Sequence, residues 1–522
     1  MTSSRVLARA GLIVSGAFLV SRILGWVRLI AFAHVFTAAD LGVFFAAFRV
    51  PDLVFQLVAA GALSSAVIPV VSALLATDEP GRAWRVVSTI ANLMLAALLV
   101  LGVIVLVAAP AIIPLITPGF SQADWDRTVD LTRIMILSPI FLALGSLVTS
   151  VLNARGRFAA SAIAPIVYNL SIIGAAVLLA PTLGLTGLAI GVVGGSIAHL
   201  AIQLAPLRAQ GFRYENRIDL ADPQARQAIK LMAPRALGLG AGQVTFVVLT
   251  SLASTIGLVA ITAFTYAFTL LQIPIGLIGV PLGIVVLPSL SRVAALGELD
   301  EFAALVSRAI RLVVFVMFPI TAVAIALRVE IVEVLFGGSR FTTEALAATA
   351  GVLFTFLIGL TAHALIAVLA RAFYARQDTR TPVAAAILAV VVNSSLAAIL
   401  VGPLGLPALG LAIAIAAWLE ALVLFVLLKR SLPQLAVRPI ADLGLRSAVV
   451  ALGGGLAAAG VAGGLALAFG ADASRVALVG RILVVGFVWL LTSAAIAAVL
   501  RIGELPAMIA LMLDLVRRPR GA

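Results

Sequence analysis

The chain contains no cysteine. Disulfides and thiolate metal sites are therefore excluded. Histidine is scarce. His34, His199 and His363 lie far apart in sequence and make no ligand spacing, so no metal site is expected. Charge is scarce too, at 11% of 522 residues. There is no phosphate-binding glycine loop, no zinc spacing and no nucleophile elbow, so no catalytic residue and no resident cofactor are expected. What is abundant is apolar sequence: 63% of residues are hydrophobic and mean hydropathy is +1.22.

A helix needs about 20 apolar residues to cross the roughly 30 Å hydrocarbon layer of a bilayer. Fourteen such runs are present, near 11–35, 43–75, 87–109, 131–152, 158–180, 184–205, 229–253, 257–287, 307–327, 347–370, 382–401, 405–428, 446–470 and 478–500. An all-α polytopic membrane protein with 14 transmembrane helices is expected. Met1 to Ala10 carries Arg5 and Arg9 and no small-residue cleavage site, which reads as a retained first helix. The net charge of +13 does not point to nucleic acid. Of 35 Lys and Arg, 25 fall in loops or tails on the side of the N-terminus and six in the opposite loops. This bias puts both termini in the cytoplasm.

The chain also repeats itself. Ala66-Val-Ile-Pro69-Val-Val-Ser72 resembles Val285-Val-Leu-Pro288-Ser-Leu-Ser291, and Asn153-Ala-Arg155 resembles Tyr374-Ala-Arg376. Leu183-Gly184-Leu185 matches Leu404-Gly405-Leu406 in the same order. Each copy holds six spans, an even number, so both point the same way. Parallel repeats of this kind suit alternating-access transporters. The expected division is an N-terminal lobe at 1–206, a cytoplasmic linker at 207–228, a C-terminal lobe at 229–430, an extra helix pair at 446–500 and a cytoplasmic tail at 501–522: two pseudo-symmetric six-helix lobes plus two extra C-terminal helices.

Four basic residues lie inside spans: Arg22, Arg28, Arg49 and Arg235. Charge in a span is costly and faces a cavity, a partner or a substrate. Arg22 falls near the midplane, where it has nowhere to snorkel. Arg28, six residues on, lies about 120° around the helix. Both can face a wide cavity, with Gly25 between them allowing a bend. Arg49 enters span two from the outer side. Its simpler reading is a pair with Asp52 at i+3, as that of Arg28 is snorkelling to the outer interface. Arginine suits phosphate because its planar fork donates two hydrogen bonds at once.

Other polar groups are weaker signals. Glu420, beside Trp418 in span twelve, is the candidate ion-coupling acid. Asp52, Gln243 and Gln272 are candidate cavity-lining residues. Thr245, Thr250, Asn92 and Asn169 read as interhelical hydrogen-bonding groups, and His363 as a packed core histidine. Span eight, with Pro274, Gly276, Gly279, Pro281 and Gly283, is expected to bend, as is span two around Pro51 and Pro69. Asp124-Trp-Asp126 has the spacing of metal-dependent glycosyltransferases, but a helix cap accounts for it more simply.

Several stretches together resemble one family. Ser21-Arg-Ile-Leu-Gly-Trp-Val-Arg28, Phe48-Arg-Val-Pro-Asp52, Gly61-Ala-Leu-Ser-Ser-Ala-Val-Ile-Pro69, Pro274-Ile-Gly-Leu-Ile-Gly-Val-Pro-Leu-Gly283 and Phe373-Tyr-Ala-Arg-Gln-Asp-Thr-Arg-Thr-Pro382 look like the MurJ (MviN) lipid II flippases. The resemblance covers roughly residues 5–430. It implies a multi-pass protein of the bacterial plasma membrane that moves a polyprenyl-diphosphate-linked peptidoglycan precursor from the inner to the outer leaflet, with roles in cell wall and cell shape. It implies a cationic cavity holding the diphosphate, with Arg22, Arg28 and Arg49 matching basic positions. It further implies coupling to membrane potential or a monovalent ion, membrane lipids and the cell-wall synthesis machinery as partners, and a monomer. The chain departs from the pattern. Phe55 and Gln56 stand where an arginine pair is usual, Phe268 and Thr269 where span eight carries an Asp-Arg pair, and Gly42 near the place of an acid.

Four function classes follow. The first is a lipid-linked-glycan flippase, for lipid II or another lipid-linked oligosaccharide. The second is an exporter of amphipathic drugs, which needs no arginine-lined cavity. The third is a membrane glycosyltransferase, for which Asp124, Asp126 and Asp130 form the available acidic cluster. The fourth is a scaffold without transport.

Overall fold

A computed structural model describes residues 2–58, 62–469 and 474–506, with side chains described from 16 onward except 59–66, 233–241 and 469. The side chains of Arg5, Arg9 and Arg235 and the tail beyond 506 lie outside what is described. Every regular element described is a helix.

The first half runs α1 (Thr2–Val35), α2 (Ala38–Val58), α3 (Ala62–Ala76), α4 (Pro80–Ile116), α5 (Gln122–Met135), α6 (Ser138–Ala154), α7 (Phe158–Leu178), α8 (Ala180–Arg208) and α9 (Pro223–Ile256). The second half continues with α10 (Leu258–Pro274), a π-helical turn (Ile275–Gly279), α11 (Val280–Leu296), α12 (Leu299–Ala326), α13 (Arg328–Phe336), α14 (Thr343–Ile358), α15 (Leu360–Ala375), α16 (Arg380–Leu404), α17 (Pro407–Ser431), α18 (Val437–Phe469) and α19 (Arg475–Val499).

Twelve helices or joined helices are long and apolar enough to cross a membrane. The pair α14–α15, bent by 43°, makes a thirteenth span. The fourteenth corresponds to α9, a 34-residue helix whose described apolar stretch is Gly242–Ile256. Large apolar side chains point outward from these helices, with Val107, Leu115 and Leu467 at 75–90% exposure. That pattern suits a lipid solvent, since hydrocarbon does not penalise apolar surface.

Proline and glycine bend the helices where the sequence places them. The expected span at 43–75 is two helices, α2 and α3, with Pro51 and Pro69 inside them. Span eight contains the π-helical turn, directly after Pro274. Proline cannot donate an amide hydrogen bond, and π-bulges are one way a helix absorbs the defect.

The repeat is visible in backbone conformation. Gly184 and Gly405 adopt nearly the same unusual geometry, φ 57, ψ −139 and φ 62, ψ −142. Gly156 and Gln377 are left-handed at φ 68 and 61, and Asp78 and Gly297 at φ 58 and 73. These three pairs fall at the same sequence offsets as the repeated motifs. Left-handed backbone costs a non-glycine residue roughly 1 kcal/mol or more, so its recurrence reflects shared loop geometry.

Two compact units are distinguished, Met1–Thr262 with Gly338–Thr342, and Ala263–Gly337 with Thr343–Ala522. The boundary between these two contact units lies inside α10. The reason is α9, which packs on α2, α3 and α4 and contributes Ala225 and Ala228 to the core cluster of the first unit. In the second unit the extra pair α18–α19 packs on α12. Trp489 donates its indole N–H to the Pro319 carbonyl (3.1 Å), and Arg311 pairs with Glu504 at 2.5 Å.

The segment between α8 and α9 is strapped along α4. Asn92 donates to the carbonyls of Glu215 and Arg217, both at 3.0 Å, and accepts from the Tyr214 hydroxyl at 2.5 Å. Ser88 and Thr89 accept from the amides of Glu215 and Asp219. At the foot of α4, Arg82 pairs with Asp222 at 2.7 Å. Asn92 thus holds a loop and does not bridge two helices, as had been expected. The 37 residues of α4 extend about 55 Å, well beyond the hydrocarbon layer. Its first turns are free to carry this strap.

Asp222 also caps α9, accepting from the amides of Gln224 and Ala225. Partial burial alone would raise its pKa. The bonds from Arg82 and those two amides, with the Arg82 charge, instead hold it below the usual carboxylate range. A depressed carboxylate contributes stability that is present above its unfolded pKa of about 3.9 and lost as pH falls through the folded value. Asp222→Ala is expected to cost about 1 kcal/mol through the lost cap and to flatten the acid limb of the melting profile below about pH 4. Melting temperature against pH in detergent checks this; an acid limb as steep as in the parent protein would refute it.

One helix contact leaves no room for a side chain. A Cβ on Gly42 would lie 2.1 Å from the Leu258 carbonyl oxygen. Leu258 follows Gly257, whose φ of 142 and ψ of 171 are essentially reserved for glycine. The turn between α9 and α10 is therefore fixed backbone on backbone against α2. Gly42→Ala is expected to cost at the upper end of the roughly 1–3 kcal/mol typical of overpacking, read as a lowered melting temperature. An unchanged melting temperature would mean that the turn can step aside freely. The same contact explains why no acid stands at Gly42.

Candidate functional site

Arg22, Arg28 and Arg49 of the first unit each meet partners of their own. Span one, α1, packs on α7, and Asn169 of α7 donates to the Ser21 carbonyl (3.4 Å) as well as to Pro165 of its own helix. Next to that contact the Arg22 guanidinium lies over the Phe18 ring, 5.9 Å from its centroid. Arg28, two turns on, is half-buried. The half-buried Tyr168 phenol on α7 lies within the electrostatic reach of both Arg28 and Asp52.

Arg49 is tied on three sides. Its Nε donates to Thr250 Oγ1 of α9 at 2.9 Å. Its guanidinium stands over the Phe246 ring at 5.5 Å, a cation–π contact strengthened by desolvation. Asp52, one turn along α2, supplies the opposite charge, and Gln56 hydrogen-bonds that carboxylate. The expected i+3 ion pair of Arg49 with Asp52 does not close to 4.0 Å; Asp52 acts as a nearby opposite charge, while Thr250 and Phe246 tie Arg49 to α9. Thr250 serves the interhelical role expected of it.

The remaining candidates are distributed over both units. Gln243 and Thr245 are both half-buried on α9. Gln272, in the second unit, is exposed. Glu420, also in the second unit, is half-buried on α17. No basic group lies within 4.0 Å of its carboxylate among the described residues. Trp418 beside it is anchored by a bond to the Ile358 carbonyl (2.9 Å) and by edge contact with Phe318. His363 is half-buried, and its Nε2 is shielded from solvent. Asp124-Trp-Asp126 is a cap: Ser121 accepts from the Asp124 amide and donates to its carboxylate (2.6 Å). The Tyr-Ala-Arg-Gln-Asp stretch also shapes a turn. Asp378 accepts from the Arg380 and Thr381 amides and from the Thr381 hydroxyl, opening α16. Those bonds, the Thr381 hydroxyl first, hold its carboxyl below the ordinary range.

The departures noted in sequence each have a local cause. Phe55 packs against the core of the first unit, and Gln56 is a partner of Asp52. Phe268 stacks on Phe264, 6.3 Å apart and 9° from parallel, and meets Phe356 at 5.7 Å. Thr269 bonds back to the Thr265 carbonyl. Aromatic core occupies the places where span eight was compared with a charged pair.

Comparison with known proteins agrees with this architecture. The family model described as "Lipid II flippase MurJ" matches residues 32–467. The chain belongs to the MurJ family. A probable lipid II flippase MurJ from Rhizobium tropici is 32% identical over 427 residues, covering 80% of each chain. The lipid II flippase MurJ of Burkholderia cenocepacia is 30% identical, over 81% of this chain and 84% of that one. Among solved structures, a MurJ in an inward closed conformation aligns with a TM-score of 0.77 at 23% identity, over 94% of this chain and 99% of that one. A multidrug transporter of the MATE family, inward-facing, aligns with a TM-score of 0.66 at 15% identity. This MurJ-family chain is a multi-pass protein of the bacterial inner membrane.

Tyr168, Phe246 and Thr250 are partners of the span arginines, and of these only Thr250 was singled out in sequence. Tyr168 carried a signal all the same. It is one of four tyrosines in the chain, and a phenol in mid-span needs a polar partner.

Proposed function

We propose that this protein is a lipid II flippase that carries a polyprenyl-diphosphate-linked peptidoglycan precursor from the inner to the outer leaflet by alternating access. The reading is supported by basic residues inside spans, Arg22 and Arg28 on α1 and Arg49 on α2, with Tyr168 in electrostatic reach of Arg28 and Asp52 and with Thr250 bonded to Arg49. A diphosphate crossing a bilayer must exchange water for donors of comparable strength. Guanidinium forks supply them as charge-assisted pairs. In this reading Arg22 and Arg28 grip the diphosphate. Arg49, already engaged with Asp52 and Thr250, joins when that network opens.

The same reading puts both termini in the cytoplasm and makes the six-span repeats two lobes that rock about the site. Glu420 is its candidate for responding to a monovalent ion or to membrane potential, Gln243 and Gln272 line the path, and the working unit is a monomer in contact with cell-wall synthesis machinery. The test uses protein reconstituted in vesicles with a fluorescent lipid II analogue in the outer leaflet, scored by loss of accessibility to a membrane-impermeant quencher. Protein-dependent exchange is expected. Exchange at the rate of empty vesicles under every ion gradient and potential would overturn the proposal.

A further inference from the structure

The second unit has a cation of its own, held by a glycine. Span eight and the second half of span ten, α11 and α15, run side by side and in close contact. At Gly279 a Cβ would meet Ala364 at 3.1 Å. One turn on, at Gly283, a Cβ would lie 2.6 Å from Cδ and Nε and 2.8 Å from Cζ of Arg371. The guanidinium therefore rests in the space that the absent side chain leaves. Glycine inside a helix costs roughly 0.5–1 kcal/mol relative to alanine. Here that cost goes with a seat for an arginine.

Arg371 is half-buried. Its Nη1 donates to the Ala367 carbonyl of its own helix. Among the described residues, no carboxylate lies within 4.0 Å of it. A guanidinium carries five N–H donors in a rigid fork, so most of this one's capacity is unspent. Tyr374, one turn further and 43% exposed, stands within its electrostatic reach and can add a hydroxyl donor. Arg371 closes the last turn but one of α15, next to the Arg-rich loop of Arg376 and Arg380. A half-buried cation without a counter-charge, at the end of a span, calls for an anion from outside the chain.

We propose that Arg371, seated on Gly283 and flanked by Tyr374, is a docking site for a lipid phosphate at the Arg-rich face of the second unit. The ligand chemistry is a phosphate ester or diphosphate on a lipid. It has two sources, the diphosphate of the transported lipid and the phosphate of a bilayer phospholipid. The first source rests on the flippase reading above; the second does not.

The test uses the full chain in nanodiscs of phosphatidylcholine, titrated with a long-chain polyprenyl diphosphate and, separately, with phosphatidylglycerol. Bound lipid is read by native mass spectrometry. The variants are Arg371→Gln, Arg371→Lys and Gly283→Ala. Gly283→Ala keeps the charge and displaces it, and it meets the movable end of a side chain, so the protein is expected to fold. Arg371→Gln and Gly283→Ala are each expected to weaken retention of one lipid about tenfold, with Arg371→Lys in between because it keeps charge but loses the fork. Loss confined to the polyprenyl diphosphate assigns the site to substrate; loss confined to phosphatidylglycerol assigns it to a bilayer lipid. Retention of both lipids at parent levels by Arg371→Gln, with melting temperature unchanged, overturns the proposal. A full effect of Arg371→Gln with none of Gly283→Ala overturns the glycine seat. Failure of the flippase reading is separate: it shows as no lipid exchange by the parent protein, whatever Arg371 binds.

Discussion

Arg22→Ala is expected to abolish lipid translocation while leaving the protein folded. Arg22 falls near the midplane of span one, and its guanidinium lies over the Phe18 ring of its own helix. Removing the guanidinium takes away a diphosphate ligand. Arg22→Lys keeps a point charge and is expected to retain part of the rate. Arg49→Ala differs in kind. It leaves Asp52 half-buried without its opposite charge, breaks the bond to Thr250 and uncovers Phe246. The lost contacts are a charge-assisted hydrogen bond of about 1.5–3 kcal/mol and a cation–π contact, so Arg49→Ala is expected to lose stability and transport together. Vesicle exchange and melting temperature, measured on the same preparations, separate the two. Normal exchange by Arg22→Ala at parent expression would remove the diphosphate role from that residue.

That contrast marks what was legible in the sequence. The spans were readable because a bilayer imposes length and hydropathy on every helix that crosses it. The intramembrane arginines were readable for the same reason, since charge stands out against such a background. Partners were harder. Thr250 lies 201 residues from Arg49, and nothing local in either helix says which neighbour the other meets. The strap along α4 was hidden because Asn92 on an apolar helix looks the same whether it bonds a helix or a loop. Gly283 was readable as a bend but not as a seat for Arg371, which was counted among loop cations. The repeat and the contacts divide the chain differently, since one records ancestry and the other packing: α9 opens the second repeat yet rests on α2, α3 and α4. Substituted positions were legible as departures only, and their reasons lie in tertiary contact: Gly42 under Leu258, Gln56 on Asp52, Phe268 in an aromatic stack.

Tying the start of α2 to the start of α10 is expected to stop translocation completely. These two ends already touch. Thr262 donates its hydroxyl to the Ala38 carbonyl at 2.7 Å, and Gly42 lies directly under Leu258. Around them, Asp40 of α2 pairs with Arg127 of α5 at 2.8 Å, and the Gly119 amide bonds Ser254 at 3.3 Å. All of this lies on the Arg-poor side, which the charge bias assigns to the outside. A lipid whose head crosses the protein while its tail stays in the bilayer must leave through an opening on that side. Such an opening has to break the contacts of α2 with α10, among them the Thr262 hydrogen bond, of the kind that contributes about 0.5–1.5 kcal/mol. They can therefore hold one state without locking it, provided the substrate or an ion binds the other state more tightly. The chain has no cysteine, so Ala38→Cys with Thr262→Cys introduces the sole thiol pair. A short bifunctional thiol reagent is expected to halt vesicle exchange while the polyprenyl diphosphate still binds from the Arg-rich side. A cleavable reagent, once reduced, is expected to restore the rate. If the crosslinked protein exchanges lipid at the full rate, α2 and α10 do not part at this end during transport, and the exit lies elsewhere.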